Sequence, residues 1–85
     1  KVAYRFHARD VHLIMGSDTP VRFRVRIDGQ APGAAHGLDI DESGDGTASG
    51  PRMYQLIRQS PPIVDRLFEI EFLEPGVEVF DFTFG

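Results

Sequence analysis

The 85 residues of this chain allow one small domain, because domains usually have about 100–150 residues, and they exclude a two-domain enzyme. The chain has no cysteine for a disulfide or a thiolate zinc site, and no apolar run approaches the roughly 20 residues of a transmembrane helix. The net charge is −4, with +3 in residues 1–30 and −7 in residues 31–85, unlike the domain-wide basic excess of nucleic-acid-binding proteins. We therefore expect a folded domain that neither binds nucleic acid nor inserts into a membrane.

Apolar and polar residues alternate in the first third of the chain, with the period of β-strands. Residues 2–6 and 11–15 predict two short strands or one strand with a bend, with Val11, Leu13 and Met15 on one face of the second run. The most regular run is 21–27, which predicts a strand with apolar residues towards a core and three arginines towards water. The predicted core residues are Val21, Phe23, Val25 and Ile27, and the predicted exposed residues are Arg22, Arg24 and Arg26.

Turn residues dominate the middle of the chain. Asp28-Gly29 predicts a turn, and 31–37, with Pro32, two glycines and three alanines, predicts a loop. Leu38–Ile40 is predicted as a short edge strand. The acidic, glycine-rich stretch 41–46 is then expected to be the tip of a hairpin.

The last third is also predicted to be β-structure. Residues 52–58 fit a strand or a short helical turn, and we favour the strand because prolines flank the segment on both sides. Residues 67–73 and 77–84 alternate around Glu74-Pro75-Gly76, which predicts a hairpin. Its predicted buried residues are Phe68, Ile70, Phe72, Phe80, Phe82 and Phe84, with Glu69 and Glu71 exposed. Together the segments predict an all-β fold, an antiparallel β-sandwich of jelly-roll type.

One group of polar side chains has the composition of a ligand site. Arg52, Tyr54, Gln55 and Arg58 combine guanidinium, phenol and amide groups, which suit a sugar or a carboxylate. The alternative is structural and is the favoured one: Tyr54 points into the core, and the two arginines pair with carboxylates of the acidic second part of the chain.

The acidic stretch resembles the start of a calcium loop, because Asp39, Asp41 and Asp45 offer oxygen ligands near a glycine. Such a loop needs a bidentate Glu at its twelfth position, and that position is Gly50. A solvated turn is therefore preferred, and no metal or other cofactor is expected. The histidines His7, His12 and His36 have no spacing that indicates zinc, and surface positions are preferred for them.

Catalysis by this chain alone is not expected. It has no cysteine and no serine in a recognisable nucleophile turn. Glu69 and Glu71 share one face of a strand and could be the paired acids of a glycosidase, but they are more simply the solvent face of an amphipathic strand.

The runs "YRFHARDVHLIMG", "PVRFRVRIDGQAPGAAHGLDIDESGDGT", "RMYQLIRQ" and "DRLFEIEFLEPGVEVFDFTFG" resemble the C-terminal domain of DipZ-like proteins. These are membrane-bound thioredoxin-family proteins linked to disulfide exchange and cytochrome c biogenesis. The resemblance implies an extracytoplasmic location, a neighbouring thioredoxin-like domain with a CxxC pair, and a terminal β-sandwich resembling a carbohydrate-binding module. It also implies that residues 1–85 are the C-terminal portion of a larger terminal domain, incomplete at its N-terminus.

Two functions are therefore expected as alternatives. The first is a non-catalytic accessory domain that positions the thioredoxin-like domain of the same parent chain or docks its protein substrates. The second is a carbohydrate-binding module that tethers the redox protein to envelope sugars. A sandwich without its early strands would expose strand edges and apolar surface, so the isolated chain is expected to form a homodimer or a strand-exchanged oligomer.

Overall fold

The computed structural model describes all residues from 1 to 85 and contains seven β-strands. The strands are β1 (Val2–Phe6), β2 (Asp10–Gly16), β3 (Val21–Ile27), β4 (Asp45–Ala48), β5 (Arg52–Arg58), β6 (Arg66–Phe72) and β7 (Glu78–Phe84). A 3-10 turn at Gly33–Ala35 is the one helical element. None of the helical structure has the length and apolar character needed to cross a membrane.

The strands form two antiparallel sheets, and the predicted β-sandwich is confirmed. One sheet has four strands in the order β1-β6-β3-β4, and the other has three in the order β5-β2-β7. The chain changes sheet after β1, β2, β4, β5 and β6. Each sheet is therefore assembled from strands that lie far apart in the sequence.

The core lies between the sheets and contains the alternate residues of the inner strands. β2 contributes Val11, Leu13 and Met15, and β3 contributes Val21, Phe23 and Val25, as their alternation predicts. A β-bulge where β5 pairs with β2 allows two successive residues, Leu56 and Ile57, to be buried. Phe68 and Ile70 of β6 complete the predicted part of the core, together with Tyr54 of β5.

The polar face of β3 and β6 is a row of ion pairs, so it is less exposed than predicted. Arg22 is exposed, but Arg24 and Arg26 are half-buried. Arg24 Nε lies 2.8 Å from Asp45 Oδ1. Glu69 and Glu71 are also half-buried, and Glu69 Oε2 lies 2.8 Å from Lys1 Nζ. Cross-strand pairing therefore covers side chains that alternation alone assigns to water.

The predicted hairpin of β6 and β7 is wrong. β6 pairs with β1 and β3, whereas β7 pairs with β2 in the other sheet. The end of β6 is held on β3 because Leu73 N donates to Arg22 O at 2.9 Å and the Glu74 carboxylate accepts from Arg22 Nε at 2.7 Å. The bend at 74–76 then leads across the sandwich instead of folding back beside β6.

The predicted edge strand Leu38–Ile40 is also wrong, because this segment is a turn. Asp39 accounts for the difference, since its side-chain carboxylate accepts a hydrogen bond from Gln55 N at 2.7 Å. The Asp39 side-chain oxygen thus accepts the hydrogen bond that a backbone carbonyl oxygen would accept from Gln55 N if this segment were a strand. Residues 41–44 connect this segment to β4, which begins at Asp45, so the predicted hairpin tip at 41–46 is wrong.

Two of the three phenylalanines predicted to be buried in β7 are exposed. The pairing of β2 with β7 moves from Ile14 opposite Asp81 to Met15 opposite Val79, so Phe80 is a bulge residue without a partner. Phe80 is 59 % exposed and Phe84 is 45 % exposed. Phe82 packs against the core but is only partly buried, as are Ile27 and Phe72. The prediction was wrong because the bulge breaks the period of two and no strand covers the outer edge of β7.

Candidate functional site

A small polar pocket lies on the three-stranded sheet beside its β5 edge. Its volume is about 130 Å³. β2 and β5 supply most of its lining and the segment before β4 supplies the rest: Asp10, His12, Gln55, Ile57, Arg58, His36, Gly37 and Leu38. The pocket is therefore formed by residues from three separate parts of the chain.

The register of β2 and β5 brings the polar side chains together, because Asp10 lies opposite Arg58 and His12 lies opposite Gln55. Asp10 is buried, and Arg9 Nη2 donates to its carboxylate at 3.0 Å. Arg58 Nε lies 3.6 Å from the other carboxylate oxygen. The negative charge of Asp10 is thus balanced by two neighbouring guanidinium groups.

The segment before β4, which forms the third part of the pocket lining, is held against β5 at Gly37. Its N–H donates to Leu56 O at 2.8 Å. A Cβ at this position would lie 2.3 Å from Gln55 O, so only glycine allows the segment to approach β5 so closely. The neighbouring His36 has Nδ1 2.8 Å from Gly37 O. Because a carbonyl oxygen only accepts, this contact assigns a proton to Nδ1 and leaves Nε2 free as an acceptor in the neutral ring.

The structure divides the four predicted ligand-binding residues. Gln55 and Arg58 line the polar pocket, but Tyr54 is fully buried on the other face of β5. The Tyr54 hydroxyl accepts from Ser49 N and donates to Gly50 O, each at 2.8 Å. The Arg52 guanidinium carbon lies 3.8 Å from the centre of the Tyr54 ring. The group predicted from sequence is therefore two structural residues and two pocket residues.

The three aspartates considered for calcium each interact with donors of the protein. Asp41 Oδ1 accepts from Ser43 N and Asp45 N, which fixes the turn. Asp45 pairs with Arg24, and Asp39 Oδ1 lies 2.7 Å from Arg52 Nη2. No group of three or more His, Cys, Asp or Glu side chains is positioned to hold a metal ion.

The histidines do not converge on one point. His12 and His36 both line the polar pocket, whereas His7 follows β1 and has Nδ1 2.7 Å from Asp65 Oδ1. Sequence reasoning missed that His12, His36 and the buried Asp10 line the same pocket, because their proximity depends on the β2–β5 register and on a loop. The pocket is smaller than the roughly 300–1,000 Å³ of typical small-molecule sites, so it has room for a few atoms only.

The arginine and backbone donors around three carboxylates predict a loss of stability in acid. The Arg52 hydrogen bond lowers the pKa of Asp39 below its ordinary 3.8, despite partial desolvation. The pKa values of Asp28 and Glu74 are also lowered, chiefly by the Leu67 N–H and by Arg22 respectively. A carboxyl whose pKa is lower in the folded state stabilises the fold above its unfolded pKa, and this contribution disappears as the pH falls through the folded pKa.

We therefore expect the free energy of unfolding to be steady from about pH 7 to pH 5 and to fall below about pH 4. Urea titrations from pH 7 to pH 2 measure it. Asp39→Asn should be less stable than the wild type at pH 7 and should depend less on pH below 4. An unfolding free energy that stays constant down to pH 2 would contradict the assignment.

A second surface, apolar and open, lies between the free edges of β1 and β7. It is a groove of about 420 Å³. We call it the edge groove, and its lining is mostly apolar: Val2, Tyr4, Val79, Phe80, Asp81, Phe82 and Phe84. The Tyr4 and Phe82 rings meet edge to face with centroids 4.7 Å apart. The groove is therefore a continuation of the core that is open to solvent.

The whole chain, residues 1–85, matches the family described as the thioredoxin-like C-terminal domain. No curated protein matches the chain, and no solved structure does.

Proposed function

Because the chain belongs to the family of thioredoxin-like C-terminal domains, we propose that it is a non-catalytic accessory domain of a thioredoxin-family protein. In this role it positions the thioredoxin-like part of the parent protein or docks the protein substrates. Thiol exchange requires a thiolate, and the chain has no cysteine to supply one. The redox chemistry is therefore assigned to the thioredoxin-like part of the parent and the contact surface to this domain.

The edge groove is the observation that carries this proposal. Contiguous exposed apolar surface on a small domain marks a site of protein contact, because leaving it in water is unfavourable. Tyr4, Phe80 and Phe84 are each at least 45 % exposed in or beside the groove. The polar pocket, by contrast, is too small for an ordinary organic ligand, and its buried acid is already paired.

The parent is further proposed to be a DipZ-like membrane protein that places this domain outside the cytoplasm. The motif runs quoted above support this assignment through their order and spacing. Carbohydrate binding remains the alternative function, and Gln55 and Arg58 at the polar pocket are the residues that favour it. The burial of Tyr54 counts against it, because this ring cannot stack on a sugar.

The isolated domain is expected to have no disulfide reductase activity. When it is attached to its thioredoxin-like domain, the reduction rate of a small disulfide should stay the same, and the reduction rates of the natural protein partners should change. A tethered domain raises the effective concentration of what it binds, which explains the difference. The measurement is insulin and partner-disulfide reduction by the thioredoxin-like domain with and without this domain.

Phe80→Asp in the linked protein should remove the effect on protein partners. Met53→Asp is the matched control, because Met53 is also exposed but lies on β5, at the opposite edge of the same sheet. Identical rates on every natural partner would refute the accessory role. Binding on a glycan array that is lost in Gln55→Ala and Arg58→Ala would favour the carbohydrate alternative.

A further inference from the structure

Four strands lie at the edges of the two sheets, and two of these edges are protected. β4 has only four residues, which leaves little edge to pair. β5 is covered by residues 36–39, because Gly37 N and Asp39 N donate to Leu56 O and Gln55 O. The remaining edges belong to β1 and β7, and each of these strands pairs on one side only.

The two open edges lie on the same side of the sandwich and run in the same direction. Tyr4 of β1 packs on Phe82 of β7 with ring centroids 4.7 Å apart, and two residues further along both strands Phe6 packs on Phe84 at 6.1 Å. The edge groove lies between these strands. One partner surface that covers this side would therefore close both sheets at once.

The two open edges carry opposite unpaired charges. Arg5 of β1 is the one lysine or arginine of the nine without a carboxylate within 4.0 Å. Glu78 and Asp81 of β7 likewise have no cation within that distance, although most other carboxylates do. The β1 edge thus presents a free positive charge and the β7 edge two free negative charges.

We propose that the edge groove is the contact surface for a second copy of this chain. A two-fold axis parallel to the strands places β1 of each copy beside β7 of the other. Arg5 is level with Thr83 of β7, so this arrangement brings it close to Asp81 of the partner copy. The alternative two-fold axis, perpendicular to the sheets, would place β7 beside β7 and bring like charges together, which is unfavourable. This inference rests on the proposed function and names the partner of its contact surface.

The contact is expected to be weak. β1 and β7 together contain twelve residues, about half of the 20–30 residues that each side of a standard interface uses. For an interface this small we expect a dimer dissociation constant of roughly 1–100 μM. The dimer would place two thioredoxin-like domains next to each other.

Sedimentation equilibrium of the 85-residue chain from about 1 to 500 μM tests the proposal, with a monomer–dimer equilibrium as the expected result. Phe80→Asp should raise the dissociation constant at least about 100-fold, because it places a charge in the apolar contact. Met53→Asp should leave it unchanged. A monomer at all concentrations, or a dimer indifferent to Phe80→Asp, would overturn the proposal.

Charge reversal tests the orientation of the two copies. Arg5→Glu and Asp81→Arg should each raise the dissociation constant about tenfold, and the double variant should return to within about threefold of the wild type. A fold defect would not be rescued in this way. Additive losses in the double variant would refute the two-fold arrangement.

The intact parent distinguishes this inference from the function it rests on. The parent could instead be a monomer whose groove is covered by another segment of its own chain or by a substrate polypeptide. That result would overturn the proposal of a second copy and leave the accessory role intact. A groove-dependent dimer with unchanged reduction of every natural partner would refute the accessory role and leave the dimer established.

Discussion

Phe23→Ala is expected to lower the free energy of unfolding by about 3–5 kcal/mol. Phe23 is fully buried at the centre of β3, where its ring lies 6.3 Å from that of Phe72. Gly46 lies against the same ring, since a Cβ at Gly46 would be 2.6 Å from Phe23 Cζ. Removing the ring leaves a cavity between the sheets, and the loss is a large part of the roughly 5–15 kcal/mol that stabilises a folded domain.

Urea unfolding followed by far-ultraviolet circular dichroism measures this loss. Phe80→Ala is the matched control, because it removes the same ring from a site that is 59 % exposed, and it should change the unfolding free energy by about 0.5 kcal/mol or less. Both variants are compared at the lowest practical protein concentration, so that self-association contributes little. Equal losses in the two variants would contradict the placement of Phe23 and Phe80.

Gly44→Ala is the second change with a large expected effect, about 2–6 kcal/mol of lost unfolding free energy. Gly44 has φ of 91°, and a Cβ there would lie 2.1 Å from Val25 O. The same residue accepts a hydrogen bond from Val25 N at 2.7 Å through its carbonyl oxygen. In the variant, backbone strain at residue 44 and a collision of its Cβ with β3 therefore act together, and they separate the turn before β4 from β3.

Two other glycines separate the causes. Gly33 has φ of 57° with no atom within 4 Å of a Cβ, so Gly33→Ala should show the backbone strain alone, about 1 kcal/mol. Gly50 also has open space and no positive φ, so Gly50→Ala should be nearly neutral. If Gly44→Ala proved as mild as Gly33→Ala, the close approach to Val25 O would be wrong.

Local patterns in the sequence predict six of the seven strands, because each of these needs only its own alternation, but they miss β4 and wrongly predict a strand at Leu38–Ile40. The 21–27 run is buried and exposed almost as predicted, and 52–58 is a strand between prolines. The same patterns do not predict which strands pair with one another. The bend at 74–76 is compatible with a hairpin, and only the pairing of β7 with β2 shows that β7 joins the opposite sheet.

Local sequence patterns also fail to predict which residues meet at the candidate sites. Tyr54 and Gln55 are neighbours in sequence but lie on opposite faces of β5, so composition could not decide which of them meets a ligand. His12 and His36 share a pocket through a loop that only Gly37 allows. The exposure of Phe80 depends on one bulge, which shifts the register without a recognisable residue signal.

The connectivity of the sandwich has a consequence for how quickly it forms. No strand pairs with its neighbour in sequence except β3 with β4, and that connection runs through residues 28–44. The chain must therefore close long loops before any sheet hydrogen bonds compensate for the lost entropy. Proteins with such non-local pairings fold in milliseconds to seconds, far more slowly than helical domains of equal length. During that interval β1 and β7 are not yet paired with β6 and β2, and their edges are exposed. Newly made chains are therefore most prone to aggregate before their sheets close.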